Sequence, residues 1–103
     1  MKHFLIKYQL RNGTKEEWHR DIAGFISAIE ADPALKGRIA YRCMKSRDGA
    51  DYYHLAAAAD EHAIKDLQER EFFKRYTERT KEVGGGTVEV LPLEIIAATR
   101  NAA

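Results

Sequence analysis

A histidine among tyrosines and alanines is the group in this chain best placed to do chemistry. In the segment DYYHLAAAAD, His54 follows Tyr52 and precedes Ala56 at strand spacing. Its unperturbed pKa lies near working pH, so it is a candidate general base for a phenolic or enolic proton. The competing reading is a partly buried histidine hydrogen-bonded to Tyr8 or to a helix residue, because no acid can be placed beside it as an orienting partner. Tyr8, Trp18, Tyr41, Phe72 and Tyr76 are the expected lining of a pocket beside His54, suited to a flat apolar ligand with one or two polar handles. The same aromatics also read as plain core. Cys43, the one cysteine, is expected opposite His54, as a thiolate partner or as a buried inert thiol. His3 and His62 are expected to be exposed, and His19 lies off the apolar stripe of its helix. No pair has metal-ligand spacing, so no metal is predicted.

Positioning these groups requires a hairpin. Arg38 to Asp60 reads as two strands about Asp48-Gly49, a dipeptide that suits a two-residue turn. Pairing about it sets Cys43 opposite His54, Tyr41 opposite Ala56 and Ile39 opposite Ala58. Ile39, Tyr41, Cys43, Tyr52, His54, Ala56 and Ala58 then share the face predicted to be covered by helices. Upstream, His3 to Leu10 alternates as a strand that places Phe4, Ile6, Tyr8 and Leu10 on one side. Asn12-Gly13 ends it, and Thr14-Lys15-Glu16-Glu17 has the spacing of a helix capping box. Trp18, Ile22, Phe25, Ile26 and Ile29 form the apolar stripe of that helix, which stops at Asp32-Pro33.

Asp60 is placed to cap a second helix, whose stripe shifts phase near Arg70 and predicts a bend or short break. Gly84-Gly85-Gly86 follows the helix instead of opening one, so it is a flexible stop and not a phosphate cradle. Thr87 to Thr99 reads as a last strand in which Pro92 demands an edge or a bulge. Asn101 to Ala103 is expected to fray. The order β-α-β-β-α-β predicts a single α+β domain over residues 1–103, a ferredoxin-like four-stranded antiparallel sheet with the helices on one face. The other face carries Leu5, Met44, Tyr53 and Leu55, too much apolar surface to leave in water. A second copy is its simplest cover, so a homodimer is predicted.

Composition bounds the partners. The 103 residues are 45% hydrophobic and 32% charged, as expected of a globular chain. Seventeen basic and sixteen acidic residues leave a net charge of +1, with no basic field to gather nucleic acid or anionic lipid. One cysteine fits a reducing compartment, and MKHFLIKYQL is too interrupted for a signal peptide or membrane span. A cytoplasmic protein is the expectation.

With these elements in order, the chain resembles the dimeric α/β-barrel superfamily, and within it the antibiotic biosynthesis monooxygenase-like proteins. The resemblance spans almost the whole chain. It rests on NGTKEEW at the first strand-helix junction, EADP at the end of the first helix, Tyr41-Arg42, AADEHAIKDL at the second junction, and EFF at Glu71 to Phe73. It implies a homodimer forming an α/β barrel, and oxidation of aromatic substrates without metal or flavin, hence no cofactor. The departures fall at the site. Ala56 and Ala58 stand where many relatives carry glutamate and tryptophan, and Leu67 where a histidine is often found. Ile6 and Gln68 replace the asparagine and histidine of heme-degrading relatives.

The expected activity is thus a cofactor-independent, monooxygenase-like reaction on a small aromatic or polyketide-like molecule, with His54 as base and tyrosines positioning the ring. The alternatives are a non-catalytic dimeric small-molecule binder, or an isomerase or decarboxylase using the same pocket. The small side chains of Ala56, Ala58 and Ala59 either open that pocket or are filled over by Trp18, Phe25 or Phe72.

Overall fold

In the computed structural model, which describes residues 1–100, seven elements follow one another: β1 (Lys2–Gln9), α1 (Lys15–Ala31), β2 (Ile39–Lys45), β3 (Asp51–Ala58), α2 (Glu61–Gln68), α3 (Glu71–Val83) and β4 (Glu89–Leu93). The expectation for Asn101 to Ala103 lies outside the described residues. The strands form one antiparallel sheet in the order β2-β3-β1-β4, with the helices on one face, the ferredoxin-like arrangement.

The hairpin pairs in the expected register, with Cys43 opposite His54, Tyr41 opposite Ala56 and Ile39 opposite Ala58. Its turn is different. Ser46 N–H donates to the Asp51 carbonyl at 2.9 Å, which leaves Arg47 to Ala50 as a four-residue loop. Gly49 does not take a positive φ, so the two-residue turn does not form. One feature favours the wider loop: the Lys45 ammonium gathers the Ser46 and Gly49 carbonyls at 2.6 and 3.1 Å. A Cβ on Gly49 would come within 2.9 Å of Ser46 Oγ, and that side chain would have to turn aside.

Helix α1 begins where Thr14 Oγ1 accepts from Glu17 N–H at 3.2 Å, and ends at Asp32 in extended conformation ahead of Pro33. Its buried stripe is Trp18, Ile22, Phe25 and Ile29. Helix α2 begins on Asp60, whose Oδ1 accepts from Ala63 N–H at 2.9 Å. The break expected near Arg70 is present: Arg70 is extended between α2 and α3, and its Nε donates to Asp32 Oδ2 at 2.7 Å. The phase shift is thereby pinned to the end of α1.

The last strand is shorter than Thr87 to Thr99. Thr87 still belongs to the turn, its N–H donating to the Gly84 carbonyl at 3.2 Å, with Gly85 and Gly86 at positive φ. At the other end, Leu93 lies opposite His3, and β1 extends only one residue further, to Lys2. Pro92 sits on this edge strand, opposite Phe4, in the kind of position expected for a residue without an N–H.

Phe4, Ile6 and Tyr8 join Tyr52, His54, Ala56 and Ala58 beneath the helices, because facing residues in a ladder point to the same side. The opposite face is uncovered, with Met44, Tyr53, Leu55, Leu91 and Leu93 all exposed. Removing either helix cap should cost about 1 kcal/mol. Thr14→Ala and Asp60→Ala are each expected to lower the denaturant midpoint accordingly, without changing the slope of the transition; a change below a few tenths of a kcal/mol would show that these caps do not hold their helices.

Candidate functional site

Beneath α1 and α3 the aromatic side chains share a set of hydrogen bonds. Trp18, wholly buried, donates its Nε1–H to Tyr8 Oη at 2.8 Å. Tyr8 Oη lies 2.7 Å from His54 Nε2. On the other side of the ring, His54 Nδ1 lies 3.0 Å from Tyr41 Oη and 3.3 Å from Tyr76 Oη. Strands β1, β2 and β3 supply Tyr8, Tyr41 and His54 from adjacent rows of the sheet, while the helices supply Trp18 and Tyr76 from above. Stacking holds the upper layer: Phe25 lies on Tyr76 with centroids 3.8 Å apart and planes at 1°, and Trp18 stacks on the same ring at 5.6 Å.

Burial sets the charge state of this cluster. His54 has no exposed surface, and desolvation lowers its pKa to about 4, so the imidazole is neutral at pH 7. The same effect raises the Tyr8, Tyr41 and Tyr76 phenols above their ordinary value and pushes the Cys43 thiol up to about 11. Cys43 is therefore a thiol and not the thiolate partner of His54. His19 is exposed and off the apolar stripe, as expected, and from there its Nε2 lies 2.8 Å from Tyr52 Oη, while Tyr52 stacks on Tyr8 at 5.3 Å.

Next to the cluster is a cavity of about 300 Å³ between the sheet and α2–α3. Ala56, Ala57 and Ala58 form much of its floor, with Phe4 and Ile6 beside them and Leu67 and Phe73 above. The alanines thus do open space that the neighbouring aromatics leave unfilled. Of the six residues expected around a pocket, Tyr41 and Tyr76 line this cavity. His54 lies behind these two tyrosines, one hydrogen bond removed, with Tyr8 two and Trp18 three bonds along the same chain, and Phe72 packs against Phe25 at 5.9 Å. Phe73 is the lining residue in place of Phe72. The break at Arg70 resets the helical phase, so that Phe73, Tyr76, Thr77 and Thr80 share one face of α3 at steps of three and four. The phase shift was readable from the sequence; its direction was not.

Among the described residues no carboxylate, histidine or cysteine lines the cavity, and its polar groups are the two tyrosines, two threonines, Gln68 and Lys81. A second depression, of about 330 Å³, involves Lys7, Arg11, Asp51 and Glu89 and mixes charges of both signs. Among the described residues there is no cluster of three or more His, Cys, Asp or Glu able to hold a metal ion, and no helix long and apolar enough to cross a membrane.

No family model matches the chain, and no curated protein matches it. Solved structures do. SnoaB, a cofactor-independent oxygenase from Streptomyces nogalater, superposes with a TM-score of 0.74 at 15% identity over 97% of each chain. Rv0793 from Mycobacterium tuberculosis gives 0.75 at 13% identity over 94% of this chain and 96% of its own. A dimeric ferredoxin-like protein of unknown function from a Jannaschia species gives 0.64 at 16%, over 92% and 100%. The ferredoxin-like fold is thus shared with these proteins, and identities this low speak for the fold alone.

The buried imidazole makes stability depend on pH with a definite sign. The folded state resists the proton down to about pH 4, whereas the unfolded chain takes it up near the ordinary value of 6.5. Between these two values the unfolded state binds more protons, so stability rises with pH there and is lost as pH falls. The full loss is about 3 kcal/mol. Denaturant titrations at pH 7, 5.5 and 4.5 should show this decline, and His54→Gln, which cannot take the proton, should flatten it. An unchanged slope in that variant would remove His54 as its origin.

Proposed function

We propose that this protein binds a flat, largely apolar molecule bearing a ketone or enol oxygen, and promotes its direct reaction with dioxygen without a cofactor. The observation that carries this reading is the alanine-floored cavity bounded on one side by Tyr41 and Tyr76, neutral phenols bonded to a neutral histidine. The alanines at 56 and 58 leave room for a ring system, and the phenols offer hydrogen bonds to one oxygen on it. A hydrogen bond to that oxygen stabilises the enolate more than the ketone, which lowers the cost of losing the adjacent C–H proton. His54 reaches the ligand only through the tyrosines, so its part is to hold them, and the proton leaves to water at the cavity mouth. The electron-rich carbon then reduces dioxygen. For a ring CH2 the balance is CH2 + O2 → C=O + H2O: one oxygen atom stays on carbon, the other leaves as water, and the substrate supplies all the electrons. The cofactor-independent oxygenase of the same fold is consistent with such chemistry.

A second reading, a non-catalytic binder, is favoured by the absence of any carboxylate or histidine among the cavity-lining residues. Anthrone, an aromatic ketone with a ring CH2, separates the two. Oxygen uptake with anthrone should exceed the protein-free rate, and the Tyr41→Phe, Tyr76→Phe double variant should lower kcat/KM by roughly 100-fold. Quenching of the single tryptophan, Trp18, by anthrone without uptake would establish the binder; neither quenching nor uptake would overturn the ligand class.

We further propose that the open sheet face, with the row Leu91, Leu5, Leu55 at its centre, is covered by the same face of a second copy. Light scattering should give a mass near twice 11.8 kDa. Leu55→Asp, which would bury a charge in that contact, should shift it toward the monomer. A wild-type mass near 11.8 kDa would count against the dimer.

A further inference from the structure

We infer that Lys81 is the specificity-determining residue of the cavity: an ammonium at its mouth that selects ligands carrying an anionic substituent, an aromatic carboxylate being the simplest. The inference deepens the ligand class proposed above and rests on that reading.

The charge of the lining is one-sided. Among the described residues that line the cavity, Lys81 alone carries a formal charge, and no carboxylate stands there to offset it. The threonines add no donor: Thr77 Oγ1 donates to the Phe73 carbonyl at 2.9 Å and Thr80 Oγ1 to the Tyr76 carbonyl at 2.7 Å. They present only oxygen lone pairs to a ligand. A ligand therefore meets neutral phenols at one place and a positive charge at another. An anionic group finds a charged partner here, and a cationic group finds none.

Nothing else in the fold occupies this ammonium. A lysine in the last turn of a helix commonly bonds the terminal carbonyls. In α3 those carbonyls are already taken. The Thr80 carbonyl accepts from Gly84 N–H at 2.9 Å and the Lys81 carbonyl from Gly86 N–H at 2.8 Å. The Glu82 carbonyl accepts from the Asn12 side-chain amide at 2.8 Å, and the Val83 carbonyl from Arg11 N–H at 2.8 Å. The neighbouring acid is engaged as well, because Glu82 pairs with Arg79 at 3.2 Å. Lys74, earlier on the same helix, pairs with Glu71 at 3.6 Å. Among the described residues Lys81 has neither an ion pair nor a side-chain hydrogen bond. It is exposed, which puts it at the mouth of the cavity and keeps its ammonium in water until a ligand arrives.

The spacing suits one ligand with two polar ends. Lys81 follows Tyr76 by five positions, a rise of about 7.5 Å along α3. A fused-ring ketone lying on the alanine floor can set its ketone oxygen on the phenols while a carboxylate on its far ring meets the ammonium.

Anthraquinone-2-carboxylate and anthraquinone-2-carboxamide test this. They share one skeleton and differ in charge, and neither has a ring CH2, so binding is measured without turnover. Calorimetry should show wild type binding the carboxylate about two- to fivefold more tightly, the value of an exposed ion pair. Lys81→Gln should bring the ratio to near unity by weakening the carboxylate alone, and Lys81→Glu should invert it. Lys74→Gln removes the same charge from a residue outside the lining and should keep the wild-type ratio. Equal binding of the two compounds by wild type, or a preference that survives in Lys81→Gln, overturns the selection and leaves the flat-ligand reading standing. An equal loss of preference in Lys74→Gln assigns the effect to net charge and also overturns it. If neither compound binds wild type, the flat-ligand class itself fails and the selection falls with it.

Discussion

A neutral histidine placed where water cannot reach it is the constraint around which this small domain is arranged. His54 has two ring nitrogens that must both be satisfied, and the sheet alone cannot do so from one strand. Tyr8 approaches from β1, Tyr41 from β2 and Tyr76 from α3, so three elements far apart in sequence meet at one imidazole. Buried polar groups tolerate little freedom, because losing one partner costs far more than a typical hydrogen bond contributes. The cluster therefore ties strand register, helix placement and side-chain orientation together.

The cavity exists because the packing changes character along β3. At His54 the space under the helices is filled by Trp18, Phe25 and Tyr76 stacked on one another. Two rows further on, alanines replace large side chains, and α2 and α3 do not descend to fill the gap. The extended residue Arg70 contributes to this: bonded to Asp32 at the end of α1, it keeps α2 and α3 as separate segments with different faces toward the sheet. A rigid polar wall thus stands against a compliant apolar space, an arrangement suited to orienting a molecule by one oxygen while leaving its ring system loosely specified.

Much of the fold was legible from local patterns. Alternation along β1, the stripe of α1, the break at Arg70 and the register of Cys43 with His54 each follow from spacing that any chain with these residues would obey. The errors were local too. The Asp48-Gly49 turn opened into four residues, and there the Lys45 ammonium bonds the loop carbonyls, a contact that a dipeptide rule does not weigh. The last strand stopped at Leu93, where its partner has only one residue left, and partners are not neighbours in sequence. Phe73 lines the cavity while Phe72 does not, since the rotation of a helix after a break depends on what it packs against.

By itself, the sequence determined which side chains lie on the helix-covered face and that one histidine sits among tyrosines there, since strand and helix periods are properties of the backbone. Only the tertiary structure decided what those side chains do. It set Tyr8 and Trp18 against Nε2 and Tyr41 and Tyr76 against Nδ1, moved His54 from the cavity to the layer behind it, and turned Ala56 and Ala58 into open volume. The physical reason is that hydrogen-bond partners, desolvation and empty space are all set by contacts between distant segments. A chain read one residue after another carries the components of such contacts, and the distances between them arise only on folding.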